Sequence, residues 1–191
     1  MVLRPATWPP LRSLCEASTS GIWAAGNGGR VRWGLVDRID ELVEGERAVA
    51  VRTWDPKLPL FLDHFPGFPV VPGVLTLESL AQVAGKLIGY SVRKRRGDWP
   101  FPILSMMDRV KFRRFIPPGE QVTLEVVLDE LRDESARCKV RALVGGKWRA
   151  RAEQVFVFNA VAFDDPAEAA RVEEVERLEL KRLWPDYPGD F

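Results

Sequence analysis

A chain of 191 residues is long enough to bury a proper core, and its length favours one domain with extensions. A hydrophobic fraction of 46% and a charged fraction of 29% are those of an ordinary soluble protein, while a formal net charge of +1 argues against a general nucleic-acid binder. Cys15, Cys138 and the single histidine match no metal or redox spacing, and no apolar run approaches the roughly 20 residues that span a bilayer.

The N-terminus lacks the basic start and apolar core of a secretory signal, so the expectation is a cytoplasmic, reduced protein. Residues 1–32 show no sustained period and are broken by Pro9, Pro10 and the Gly26–Gly29 cluster; they read as an N-terminal extension. From Trp33 the texture changes. WGLVDRIDELVEG reads as a short strand or helical turn, and ERAVAVRTW alternates with period two as a half-buried strand should. Asp55 to Pro72 reads as a loop. A helix is predicted from about Gly73 to Arg93, because Val74, Leu77, Leu80, Ala81, Ala84, Leu87 and Ile88 recur at spacings of three and four. It is apolar on most sides and must be wrapped, and Gly85 and Gly89 would let another backbone approach.

The remainder supplies the wrapper. Residues 101–116, 121–131, 136–144 and 147–161 read as successive strands, with Gly145-Gly146 as a two-residue hairpin signal. Strands joined by short turns predict an antiparallel sheet with one face on the helix, an α+β arrangement. Its exposed edges predict pairing with a second copy, hence a homodimer. From Pro166 to Trp184 the pattern turns helical and acidic, so residues 162–191 read as a C-terminal helical extension.

His64 sits in a turn stiffened by Pro66, Gly67, Pro69 and Pro72, and its side chain titrates near neutrality, which suits a general base. The plainer alternative is a histidine that caps a turn through a backbone hydrogen bond. Glu78 is the one acid on the apolar helix; burial would raise its pKa and let it donate a proton, or it could simply pair with Gln82 one turn on. Unpaired amides near Gly73 and Val74, at the helix N-terminus, could polarise a thioester carbonyl and stabilise an enolate. Gly73, Val74 and Gln82 thus form the candidate oxyanion and substrate-binding set, with His64 and Glu78 as the candidate catalytic pair. Base, acid and oxyanion site together are what loss of a beta substituent beside a carbonyl needs.

The segment HFPGFPVVPGVLTLESLAQ resembles the active-site segment of the beta-hydroxyacyl-(acyl carrier protein) dehydratases, the hotdog-fold enzymes of fatty-acid synthesis. The likeness extends to LVDRIDEL (35–42), DRVKFRRFIPPGEQVTLEV (108–126) and the GGKWRARAE hairpin, covering roughly residues 33–161, and the spacing of 14 residues from His64 to Glu78 is the family's. The resemblance implies a hotdog fold over 33–161, in which a long central helix is wrapped by the sheet. It implies that His64 and Glu78 act from opposite subunits of a dimer, often in a trimer of dimers, with the acyl chain in a tunnel at the interface. It implies dehydration of a (3R)-3-hydroxyacyl thioester to the trans-2-enoyl thioester, with no metal or organic cofactor beyond the phosphopantetheine of the acyl carrier protein. Arg30-Val31-Arg32-Trp33-Gly34 departs from the family's His-Arg segment, and Asp63 stands where glycine is common. Two basic clusters could steer an acidic carrier protein: Arg93, Lys94, Arg95 and Arg96, and Lys111, Arg113 and Arg114 beside Arg109. A solvated face is the alternative for each, and the acidic 164–179 stretch could satisfy one of them internally. The competing activities are a hotdog thioesterase and a non-catalytic hotdog subunit that binds acyl carriers.

Overall fold

The computed structural model describes residues 33–158 and 165–189, so the extension read at residues 1–32 and the end of the last predicted strand lie outside the described residues. From Gly34 onward these residues belong to one compact unit. Six strands form a single antiparallel sheet: β1 (Arg38–Val43), β2 (Arg47–Thr53), β3 (Ile103–Phe112), β4 (Gln121–Leu131), β5 (Ser135–Val144) and β6 (Lys147–Val157). Their order across the sheet is β1-β2-β4-β5-β6-β3. Period-two alternation does the sorting: Ala136, Cys138, Val140, Ala142 and Val144 of β5 are buried, and Arg137, Lys139 and Arg141 between them are exposed. Gly145 and Gly146 take φ of 56° and 72°, the left-handed pair a tight β5–β6 hairpin requires.

The buried face of the sheet holds α2 (Gly73–Arg96), packed chiefly against β4, β2 and β5. Leu80, Val83, Ala84, Leu87 and Ile88 are fully buried and meet Trp54, Leu124, Val126 and Phe156 in one core. Each large side chain there contributes roughly 1.5–3 kcal/mol by leaving water. The helix runs three residues past its predicted end and stops at Gly97, which adopts φ 82°. Its glycines do less than their spacing suggests. At Gly89 an added Cβ would collide with the indole of Trp99 rather than with a backbone, and at Gly85 it would meet open space.

The predicted loop before α2 contains a short helix, α1 (Leu60–Asp63), whose single turn is too brief to show a period. The C-terminal acidic pattern forms α3 (Pro166–Leu183), with the Asp165 side chain accepting from Ala167 N and proline in the first turn. It lies on α2: Leu180 and Leu183 are buried, and Trp184 meets Tyr90 edge-to-face at 5.4 Å. Lys86 of α2 is buried and donates to Glu176 at 2.7 Å and Glu179 at 2.5 Å. No helix among the described residues is long and apolar enough to cross a membrane.

β3 stands apart from the other strands. It is an edge strand, almost every residue of it is exposed, and Met106, Met107, Val110 and Phe112 present apolar surface there.

Candidate active site

The loop from α1 to α2 is tied down at both ends. His64 N donates to Leu60 O at 3.1 Å, closing α1, and Val70 N donates to His64 O at 3.1 Å. Val71 N then donates to Ile116 O at 2.8 Å, which pins the loop beside the segment that follows β3. The backbone of His64 therefore does cap a turn, as its plainer reading had it, while its half-buried imidazole is left to line a cavity of about 500 Å³. That size suits a small-molecule chain.

The cavity wall is mostly apolar: Val70, Val71, Leu77, Phe112, Phe115 and Ile116. Phe112 and Ala150 line it as a cross-strand pair of β3 and β6. The N-terminus of α2 forms another side through Gly73, Val74 and Thr76. Pro72 O takes the first helical bonds, from Leu75 N at 3.0 Å and Thr76 N at 3.3 Å, so the amides of Gly73 and Val74 precede the intrahelical ladder. Glycine is needed at 73 for a steric reason, because a Cβ there would stand 2.7 Å from the Phe112 ring. Arg113, Arg114 and Arg149 complete the lining with positive charge.

Glu78 and Gln82 do not line this cavity. Gln82 Nε2 donates to Glu78 Oε1 at 3.0 Å, and Gln82 Oε1 accepts from Leu35 N at 2.9 Å. Both ends of the Gln82 amide are thereby engaged, and the side chain orients Glu78 rather than facing the Gly73 amides. Glu78 is half-buried rather than enclosed, because the sheet covers the opposite side of α2. A single chain thus unites His64, Gly73 and Val74 but leaves Glu78 elsewhere.

The basic clusters part company. Arg93 pairs with Glu173 at 2.9 Å, Arg95 with Glu44 at 3.7 Å, and Arg96 with Asp98 at 2.8 Å, while Arg96 also donates to Asp133 O. The Arg96 guanidinium holds the Asp98 carboxyl below its usual range, and Lys94 lies 5.9 Å from the Tyr90 ring centre. This cluster is spent within the chain, and the helical rise puts it about 30 Å from Gly73. Arg113 and Arg114 are at the cavity. Lys111 instead borders a separate hollow of about 550 Å³ with Arg109, Lys139, Arg141 and Arg151. Arg149 was missed from sequence; the alternation in its hairpin shows a charge but not which cavity it reaches. Burial pushes the Cys138 thiol up to about 12, which removes it as a nucleophile. Among the described residues, no group of three or more His, Cys, Asp or Glu side chains could hold a metal ion.

Sequence comparison gives this geometry its relatives. The chain is 41% identical over 123 residues to a 3-hydroxyacyl-(acyl-carrier-protein) dehydratase FabZ of Caldanaerobacter subterraneus, covering 64% of this chain and 85% of that one. It is 40% identical over 123 residues to the Oenococcus oeni protein of the same name, covering 64% and 86%. Among solved structures, the fold matches the dehydratase heterocomplex ApeI:P of Xenorhabdus doucetiae with a TM-score of 0.56, at 13% identity over 72% of this chain and 88% of that one. A Streptococcus mutans protein solved with acetyl CoA matches with a TM-score of 0.53, at 10% identity over 70% and 97%. At such identities these two matches speak for the hotdog fold alone. The model of the FabA-like domain matches residues 30–153, which is most of the chain and includes every residue of the cavity, and this protein belongs to the FabA-like family.

Proposed function

We propose that this chain is a hydro-lyase that removes water from a (3R)-3-hydroxyacyl thioester on acyl carrier protein, giving the trans-2-enoyl thioester in fatty-acid or related lipid or polyketide synthesis. The observation that carries the reading is His64 on the wall of an apolar cavity that opens against the α2 N-terminus, in a chain about two-fifths identical to curated dehydratases. The acyl chain lies along Phe112, Phe115, Ile116 and Leu77. The thioester carbonyl faces the amides of Gly73 and Val74, where the enolate charge develops. His64 takes the alpha proton. Glu78 of the partner subunit, oriented by its own Gln82, protonates the departing 3-hydroxyl. The alpha proton goes to the imidazole, the hydroxyl leaves as water, and the carbon–carbon double bond forms between them. The C–H and C–O bonds break, the electron pair left on the alpha carbon becomes the double bond, and nothing is oxidised or reduced overall. The proposed reaction therefore calls for no redox cofactor, and the proposal includes no metal.

Two features support a composite site and a homodimer. Glu78 lies outside its own chain's cavity, and β3 offers an exposed apolar edge for a second copy. Three such dimers would form the hexamer that the resemblance implies. Arg113 and Arg114, joined by Arg149, are the proposed docking rim for the acidic carrier, with Lys111 adding charge from the separate hollow. The cytoplasm is the proposed location.

Reversible hydration of an enoyl thioester tests the proposal. The wild-type protein should hydrate it, and His64→Ala should be slower by about 10²–10⁴-fold. Equal inertness of the two proteins would overturn the proposal, and release of free thiol from the thioester would redirect it towards a thioesterase.

A further inference from the structure

The buried serine and threonine side chains of α2 are treated differently. Ser79 Oγ donates to Leu75 O at 2.8 Å and Ser91 Oγ to Leu87 O at 2.7 Å, the usual back-bond to the carbonyl four residues earlier. Thr76 is only 1% exposed, yet its Oγ1 has no hydrogen-bond partner among the described residues. The carbonyl it would use, that of Pro72, already accepts the amides of Leu75 and Thr76. A buried hydroxyl left unpaired is costly and rare, and it needs a reason. Gln154 Oε1 is similarly orphaned, but Gln154 does not line the His64 cavity, whereas Thr76 does.

The location narrows the partner. Gly73, Thr76 and Leu77 share one face of α2, and all three line the cavity. Thr76 lies about 4.5 Å along the helix from Gly73, and helical side chains lean back towards the N-terminus. Its hydroxyl is thus close to the level of the amides proposed to hold the thioester carbonyl. At the reacting end a 3-hydroxyacyl thioester has just two oxygens, the carbonyl and the 3-hydroxyl, one carbon apart from the centre that loses its proton. With the carbonyl on the amides, the 3-hydroxyl is the oxygen left for Thr76.

We infer that Thr76 is a substrate-binding residue whose hydroxyl hydrogen-bonds the 3-hydroxyl of the substrate and orients it for protonation. This rests on the dehydratase reading. It also distinguishes the 3-hydroxyacyl substrate from a saturated acyl thioester of equal length, which offers Thr76 nothing to bond.

The test compares wild type, Thr76→Val and Thr76→Ser. KM is measured for a 3-hydroxyacyl thioester and Ki for the saturated thioester of the same chain length. Thr76→Val should raise KM about tenfold, the worth of one hydrogen bond, and shift Ki by less than about twofold. Thr76→Ser should restore KM, and the melting temperature of Thr76→Val should hold or rise, since an unpaired buried polar group has been removed. A parallel rise in KM and Ki means that Thr76 only shapes the cavity, and no rise in KM means that it binds nothing; either overturns the inference. A fall of several degrees in melting temperature would show the hydroxyl to be paired within the fold, which also overturns it. Wild type inert towards both hydroxyacyl and enoyl thioesters is a separate result, which overturns the dehydratase reading and this inference with it.

Discussion

The N-terminal half of α2, as far as Gln82, pairs Ser79, Glu78 and Gln82 but leaves polar groups of its first turn open: the amides of Gly73 and Val74 precede the hydrogen-bond ladder, and the Thr76 hydroxyl has no partner among the described residues. The C-terminal half closes its polar groups one by one. Buried Lys86 has two glutamates of α3, Arg93 has a third, Ser91 back-bonds while accepting from Gly45 N, and Tyr90 packs edge-to-face on Trp184. The chain therefore has the means to satisfy buried polar groups on this helix. On α2 the buried hydroxyl left open is the one beside His64, although Gln154 Oε1 and Trp54 Nε1 are left open elsewhere in the fold.

The largest effect expected from breaking this contrast is at the catalytic pair. His64→Ala and Glu78→Gln should each lose about 10²–10⁴-fold in rate. If the site is composite, co-refolding the two inactive variants in equal amounts should restore about a quarter of the wild-type activity, because half of the dimers then hold one intact site of two. Recovery absent from a sample shown to contain mixed dimers would place both residues in one subunit. Next comes the closed half. Leu180→Ala should lower unfolding stability by about 2–5 kcal/mol in a denaturant titration. The remaining folded protein should keep its KM for a short pantetheine thioester, and a raised KM would show that α3 reaches the open half. The smallest effect separates the basic clusters. Arg114→Glu should raise KM for carrier-bound substrate by about tenfold at low salt, with the difference shrinking as salt rises. Arg95→Glu, at the far end of α2, should change it by less than about twofold, as expected for an exposed ion pair. Equal effects would mean that the carrier reaches along the whole helix.

Much of this was legible because it is written in neighbouring residues. The strand alternation, the paired glycines of the β5–β6 hairpin and the apolar spacing of α2 each express a local period. The proline-stiffened turn around His64 and the acid 14 residues on were visible for the same reason. The illegible parts depend on distant partners. Lys86 interrupts an apolar pattern, and nothing near it in the sequence shows that Glu176, 90 positions later, is brought against it. Arg93 to Arg96 read as a docking cluster until Glu173, Glu44 and Asp98 are found to occupy three of them. Gln82 reads as part of the oxyanion set until its amide nitrogen is found donating to Glu78 and its oxygen accepting from Leu35 N.

The sequence by itself determined the long helix, the alternating strands, the family and the identity of the candidate acid and base, since periodicity and motif spacing need no knowledge of what lies across the fold. Tertiary structure alone decided which groups are satisfied and which are left open. Packing of α2 against the sheet and α3 selects the polar partners of each side chain. It closes the C-terminal half, and it leaves His64, the first helical amides and the Thr76 hydroxyl around one apolar cavity.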